Sequence, residues 1–285
     1  MRLALGLFIA GGLCLSSLDA VGKVVMSQTG LALLIWARYL GQVVFSLPLS
    51  LHYAGPQFWK TSKPKLQLLR STLLVCTSLL FFGGVQFLPL AEASAIAFTA
   101  PIWVALLSGP MLGERVARSD WVVAAIGFSG ILLIVRPGTE IFHFGALLIG
   151  AMAALNAVYQ LLTRKLTRDN PFTTFFYSGL VGAAAFTVWF AITGFPEMPD
   201  TTTLLLLCAV GVLGGLGHLL FVLAFYRASP ASLTPFVYMQ MIWAIGFGWL
   251  LFRQLPDGWA LLGMVVIIGS GLWLILHHHR QRTRA

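Results

Sequence analysis

Ten runs of mostly apolar residues follow one another along this chain, near 3–21, 31–51, 66–87, 91–111, 119–135, 144–162, 172–193, 203–225, 231–252 and 259–276. About 20 such residues is the length a helix needs to cross the hydrocarbon core of a bilayer. Lipid offers no hydrogen bonds to a bare backbone, so only helices and closed barrels span it. A barrel would show ten-residue segments of alternating hydrophobicity, and the runs here do not alternate. The sequence therefore predicts an all-α integral membrane protein of ten transmembrane helices. Composition agrees, at 58% hydrophobic and 9% charged residues, against roughly a quarter charged in a soluble domain. A soluble enzyme, a nucleic-acid binder and a disordered chain are excluded together.

The breaks between runs carry turn and charge signals, as at Lys60-Thr61-Ser62-Lys63-Pro64-Lys65, Arg136-Pro137-Gly138 and Leu255-Pro256-Asp257-Gly258. The net charge of +9 reads as a topology signal. With the N-terminus in the cytoplasm, Arg2, Lys60, Lys63, Lys65, Arg70, Arg115, Arg118, Arg164, Lys165, Arg168, Arg227, Arg280, Arg282 and Arg284 lie inside. Only Lys23, Arg136 and Arg253 lie outside, and Arg38 falls within a span. The positive-inside rule then puts both termini in the cytoplasm of a cell (inner) membrane protein. A second reading makes the first run a secretory signal cut near Leu18-Asp19-Ala20. That would leave nine spans and break the repeat described next, so retention is expected.

Shifted by 140, the sequence matches itself: Leu79-Leu80-Phe81 falls on Leu219-Leu220-Phe221, Ser94 on Thr234, Phe98 on Tyr238 and Trp103 on Trp243. A shift of 138 lays Tyr39 on Tyr177 and Trp121 on Trp259. The chain thus divides into two five-span halves, 1–138 and 139–285. Five is odd, so the second half enters the membrane from the opposite side, and inverted repeats of this kind are a mark of secondary transporters.

The segment Phe87-Leu88-Pro89-Leu90-Ala91-Glu92-Ala93-Ser94-Ala95-Ile96-Ala97-Phe98, then Pro101, Leu112-Gly113-Glu114-Arg115 and Gly127 to Pro137-Gly138, resembles the EamA family of the drug/metabolite transporter superfamily. Gly145 to Lys165 and Ala228-Ser229-Pro230-Ala231 repeat the likeness in the second half. The resemblance implies ten helices around a central cavity and transport of small metabolites. Among the branches of the family it points to export of aromatic amino acids. Its alternative is another solute, such as a vitamin, S-adenosylmethionine or a drug-like compound. The second half departs from the pattern, with Phe252-Arg253-Gln254 where Leu112-Gly113-Glu114 stands in the first.

Polar groups at membrane depth usually face a cavity or a partner. His218 lies midway along the eighth run and its repeat mate is Ser78 in the third, so both point to the cavity. A histidine there can bind a solute or carry a proton; a structural hydrogen bond between helices is the plainer reading. Asn156, Gln160 and Thr163 form one polar stripe on the sixth run, with Tyr159 beside it. Thr234, Tyr238 and Gln240 lie on the ninth run, and Tyr238 with Phe98 offers aromatic surface to a planar solute. The substrate cavity expected from sequence is therefore Ser78, Phe98, Asn156, Tyr159, Gln160, His218, Tyr238 and Gln240. Trp103 and Trp243 read as packing.

Asp19 and Lys23, four apart near the outer end of the first run, are spaced for an ion pair. Arg38 either attracts an anion or snorkels outward, with snorkelling preferred. Glu92 sits at a helix start, where a carboxylate suits the dipole. Adjacent helical residues point about 100° apart, so His277-His278-His279 does not form one chelating face. Cys14, Cys76 and Cys208 sit in apolar runs without metal or redox spacing. No phosphate loop, paired carboxylates or nucleophile elbow appears. Charged cavity groups are scarce on this reading, which favours a neutral or zwitterionic solute. The expectation is a secondary transporter rather than a lipid-acting membrane enzyme. It needs no cofactor or metal, has lipid and a small molecule as partners, binds no nucleic acid, and is a monomer or weak homodimer.

Overall fold

The computed structural model describes residues 2–113, 118–136, 144–166, 169–225, 227 and 233–282, of which 119, 120, 225, 234, 235, 275 and 278–282 are described by backbone alone. The regular elements among them are all helical: α1 Arg2–Thr29, α2 Leu31–Ala54, α3 Pro64–Val85, α4 Leu90–Ala97, α5 Ala100–Leu112, α6 Arg118–Val135, α7 Phe144–Arg164, α8 Pro171–Thr193, α9 Thr201–Phe225, a 3-10 turn at Thr234–Tyr238, α10 Met239–Phe252 and α11 Gly258–Arg282. Seven helical segments are long and apolar enough to cross a membrane, Leu90–Leu112 counting as one. The shorter apolar helices Trp121–Val135, Phe236–Phe252 and Gly258–Leu274 stand at the remaining runs.

Two departures from the sequence reading matter for the site. The first helix does not stop before Lys23 but continues to Thr29, which places Asp19 well inside the bundle. It can continue because the Lys23 ammonium finds a buried partner, donating 2.7 Å to the carbonyl of Leu88 and standing 5.0 Å above the Phe252 ring. Asp19 and Lys23 therefore do not pair. The fourth run breaks at Phe98–Thr99, since Pro101 has no N–H for the carbonyl of Ala97 and its ring crowds the preceding turn. Thr99 covers part of the gap by donating its hydroxyl to the Ile96 carbonyl at 2.7 Å. The ninth run opens with the 3-10 turn that contains Pro235.

Packing joins distant parts of the chain. Helix α1 lies along α9, α2 along α8 and α9, α3 along α7, and α6 along α11. The approach of α2 to α9 is backbone on backbone: a side chain at Gly41 would overlap the Cα of Gly211. Small residues permit such approach in lipid, where van der Waals contact is the main force between helices. Helices α1 and α2 turn back on each other through one residue, Gly30, whose φ of 78° is open to glycine at no steric cost. One end of the bundle, holding the end of α1 and the starts of α2 and α7, is filled by Val25, Leu34, Phe82, Val85, Leu90 and Ile149. The other end is hollow.

Candidate substrate cavity

The hollow end contains a cavity of about 820 Å³. Helix periodicity builds its walls. Arg70, Leu74, Thr77, Ser78 and Phe81 form one face of α3, and Met152, Asn156, Tyr159, Gln160 and Thr163 form one face of α7, at the i, i+3/i+4 spacing that keeps side chains on one side. Helix α8 adds Thr174, Phe175 and Ser178, α9 adds His218, Phe221 and Val222, and α1 adds Phe8, Leu15 and Asp19. Arg38 and Gln42 come from α2, Ser94, Ala97 and Phe98 from the broken fourth span, and Val237 and Gln240 from the ninth.

Of the eight residues expected from sequence, the structure brings Ser78, Phe98, Asn156, Tyr159, Gln160, His218 and Gln240 to this one space. Tyr238 is corrected. It is buried, its ring centroid lies 6.2 Å from that of Phe98, and its hydroxyl is directed at the backbone of Gly271 in α11. Val237, its neighbour in the 3-10 turn, takes the wall instead. The side chain of Thr234 lies outside the described residues, as do those of His278 and His279. His277 stacks on Trp273 at 4.5 Å. Among the described residues no group of three or more His, Cys, Asp or Glu is placed to hold a metal ion. Glu92 sits in the first turn of α4, and Trp103 packs edge-on against Phe128.

Charge in the cavity departs furthest from the sequence reading. Arg70, counted there among the cations on the cytoplasmic side, is 3% exposed. Its Nε donates to Thr163 at 2.6 Å and its Nη2 to the Tyr159 hydroxyl at 2.6 Å. Its Nη1 donates to Ser178 at 2.9 Å and to the Thr174 carbonyl at 3.3 Å. Because α3 begins at Pro64, Arg70 is already two turns into the bundle; its place on the Leu74–Ser78–Phe81 face is the signal that would have found it. Arg38 does not snorkel. Helix α2 is flanked by α8 and α9, so its side chain points inward and donates 2.9 Å to Ser78. Tyr39 supports that serine, its hydroxyl 2.7 Å from the Ser78 hydroxyl and 2.8 Å from the Leu74 carbonyl. Nε of Arg38 and Nε2 of His218 are buried with no hydrogen-bond partner among the described residues.

At the rim, Asp169 binds the loop after α2. It accepts from the Thr61 hydroxyl, the Ser62 amide at 3.0 Å, the Ser62 hydroxyl at 2.7 Å and the Gln67 amide at 3.1 Å. Burial opposes the Asp169 charge, but the bonds from Thr61, Ser62 and Gln67 outweigh it and hold the carboxyl below the usual carboxylate range. At the opposite surface Arg136 pairs with Asp257, which also caps α11 through the Ala260 amide at 2.8 Å.

Comparison with known proteins agrees with this architecture. The model of the EamA-like transporter family matches the chain twice, over residues 2–136 and 143–276. An S-adenosylmethionine uptake transporter of Rickettsia bellii is 25% identical over 99% of this chain and 96% of its own length. A riboflavin transporter of Rhizobium johnstonii is 28% identical over 85% of this chain and 80% of its own. A pseudopaline exporter of Pseudomonas aeruginosa is 27% identical over 68% of each. A solved crystal structure superposes with a TM-score of 0.66 at 18% identity, covering 98% of this chain and 99% of that one, and so shares the fold.

Proposed function

The chain belongs to the EamA-like transporter family, and from that premise we propose that it carries a heteroaromatic metabolite of roughly the size of S-adenosylmethionine or riboflavin across the inner membrane. The carrying observation is the cavity. At about 820 Å³ it stands at the upper end of the roughly 300–1,000 Å³ that encloses a drug-sized ligand, and a free amino acid would leave most of it to water. The activities for which the relatives are named, S-adenosylmethionine uptake and riboflavin transport, favour the alternative drawn from the sequence over export of aromatic amino acids. Phe81, Phe98, Tyr159, Phe175 and Phe221 supply faces for a planar ring, and Gln42, Asn156, Gln160 and Gln240 supply amide donors and acceptors.

Transport proceeds on this reading by alternating access between residues 1–138 and 139–285 as inverted repeats. The pairing of helices supports it. Exchanging the halves turns the α1–α9 contact into the α7–α3 contact and maps the α2–α8 and α6–α11 contacts onto themselves. Both termini are cytoplasmic on the positive-inside rule, so the cavity opens inward and the packed end around Val85 and Leu90 is the outer seal. Protein reconstituted in liposomes, offered labelled S-adenosylmethionine, riboflavin, tryptophan and phenylalanine, tests this. Saturable flux of S-adenosylmethionine or riboflavin is expected. Flux of the amino acids alone, in sealed vesicles, overturns it.

A further inference from the structure

Two guanidinium groups face the cavity, and the protein treats them differently. Arg70 is saturated: every nitrogen of its head donates to a protein oxygen. Arg38 has five N–H donors and makes one hydrogen bond among the described residues, to Ser78. Its Nε is buried without a partner, and no carboxylate lies within ion-pair distance of it among the described residues. The side chain is nonetheless held in place, with the Tyr39 and Phe82 rings 5.5 and 6.0 Å from its charge. A positioned guanidinium on a half-buried side chain, with its Nε out of reach of any protein acceptor, is costly unless something completes it, and the planar fork fits a carboxylate through two parallel hydrogen bonds. Asp19 lines the same cavity and makes no hydrogen bond to a described residue.

We propose that Arg38 and Asp19 together hold an α-amino-acid head group, the carboxylate on Arg38 and the ammonium on Asp19, while the rest of the solute lies among the aromatic walls. This rests on the transport reading above and narrows it, because a flavin carries no such head group. The two charges stand on different helices, α2 and α1, and both line the one cavity; the stem of Arg38 and Leu18, the chain neighbour of Asp19, meet at Gly214 of α9, where an added side chain would lie 3.7 and 2.9 Å from them. One small zwitterion can bridge them where the protein does not pair them directly.

The test compares S-adenosylmethionine, its decarboxylated form and riboflavin as substrates of the reconstituted wild-type protein. Loss of a charge-assisted bond predicts that the decarboxylated compound is transported roughly ten- to a hundredfold less efficiently. Arg38→Gln collapses that discrimination and Arg38→Lys retains part of it. Equal transport of both S-adenosyl compounds by wild type, or transport of riboflavin alone, overturns the head-group site and leaves the carrier reading standing. Transport of none of the three overturns both. The wild-type comparison is decisive even if the Arg38 variants fail to fold.

Discussion

Tyr159 holds Arg70 in two ways at once, its hydroxyl accepting a 2.6 Å hydrogen bond and its ring centroid lying 4.6 Å from the guanidinium carbon. The pair ties α7 to α3 at the wall of the cavity. Hydrogen bonds between membrane helices average about 0.6 kcal/mol and reach about 1.7, and the charge here places this one at the upper end. Tyr159→Phe keeps the ring and removes the hydroxyl, so it should cost about 1–2 kcal/mol in denaturant unfolding of the detergent-solubilised protein. Arg70→Met should cost more, since it leaves Tyr159, Thr163 and Ser178 without their donor. An unchanged midpoint for Tyr159→Phe would contradict this account.

The rim carboxylate predicts a pH dependence of definite sign. The folded protein holds Asp169 below the ordinary carboxylate range, so its contribution is fully present above the unfolded value near pH 3.9 and is lost as pH falls through the lower folded value. Between pH 7 and pH 5 the loop attachment should not weaken. Thermal unfolding of wild type and Asp169→Asn, followed from pH 7 to pH 3, should show a constant gap that closes only at the acid end. A gap that closes near pH 6 would point to a different group.

Bare backbone contact sets a strict size limit. Gly41→Val puts a branched side chain where Gly211 already stands, which should cost about 3 kcal/mol or more and abolish the monodisperse peak in size-exclusion chromatography. Gly150→Ala, with nothing within 4 Å of the added carbon, should be neutral or stabilising by up to about 1 kcal/mol through helix propensity.

Lys23 fastens α1 to the turn before α4 on the sealed side of the bundle, through the Leu88 carbonyl. Lys23→Met should weaken that seal. A cysteine placed at Ser94, with the three native cysteines replaced by serine, should then react several-fold faster with a membrane-impermeant thiol reagent added outside proteoliposomes. No change in rate would show that Lys23 does not govern access from that side.

Much of the fold could be read from sequence because lipid imposes a length and an apolar composition on every helix. That the stripe Asn156, Gln160 and Thr163 faces the same interior as His218 and Ser78 was legible for the same reason, since polar groups in hydrocarbon surroundings mark the inside. The errors came where one residue type carries two meanings. Arg70 and Arg38 each stand within about two turns of a helix end, where a cation serves equally well as topology signal, snorkel or cavity group, and only the neighbours supplied by α7, α8 and α9 decide. Tyr238 packs its hydroxyl toward Gly271 of α11, a neighbour that the pattern of the ninth run alone does not reveal.

The Gly41–Gly211 crossing bears on how such a bundle is able to move. Helices that interlock through large side chains must unmesh to rotate, whereas backbones in direct contact can roll with little change in separation. On the alternating-access reading proposed above, this crossing, between α2 and α9, is the bearing about which one half tilts against the other.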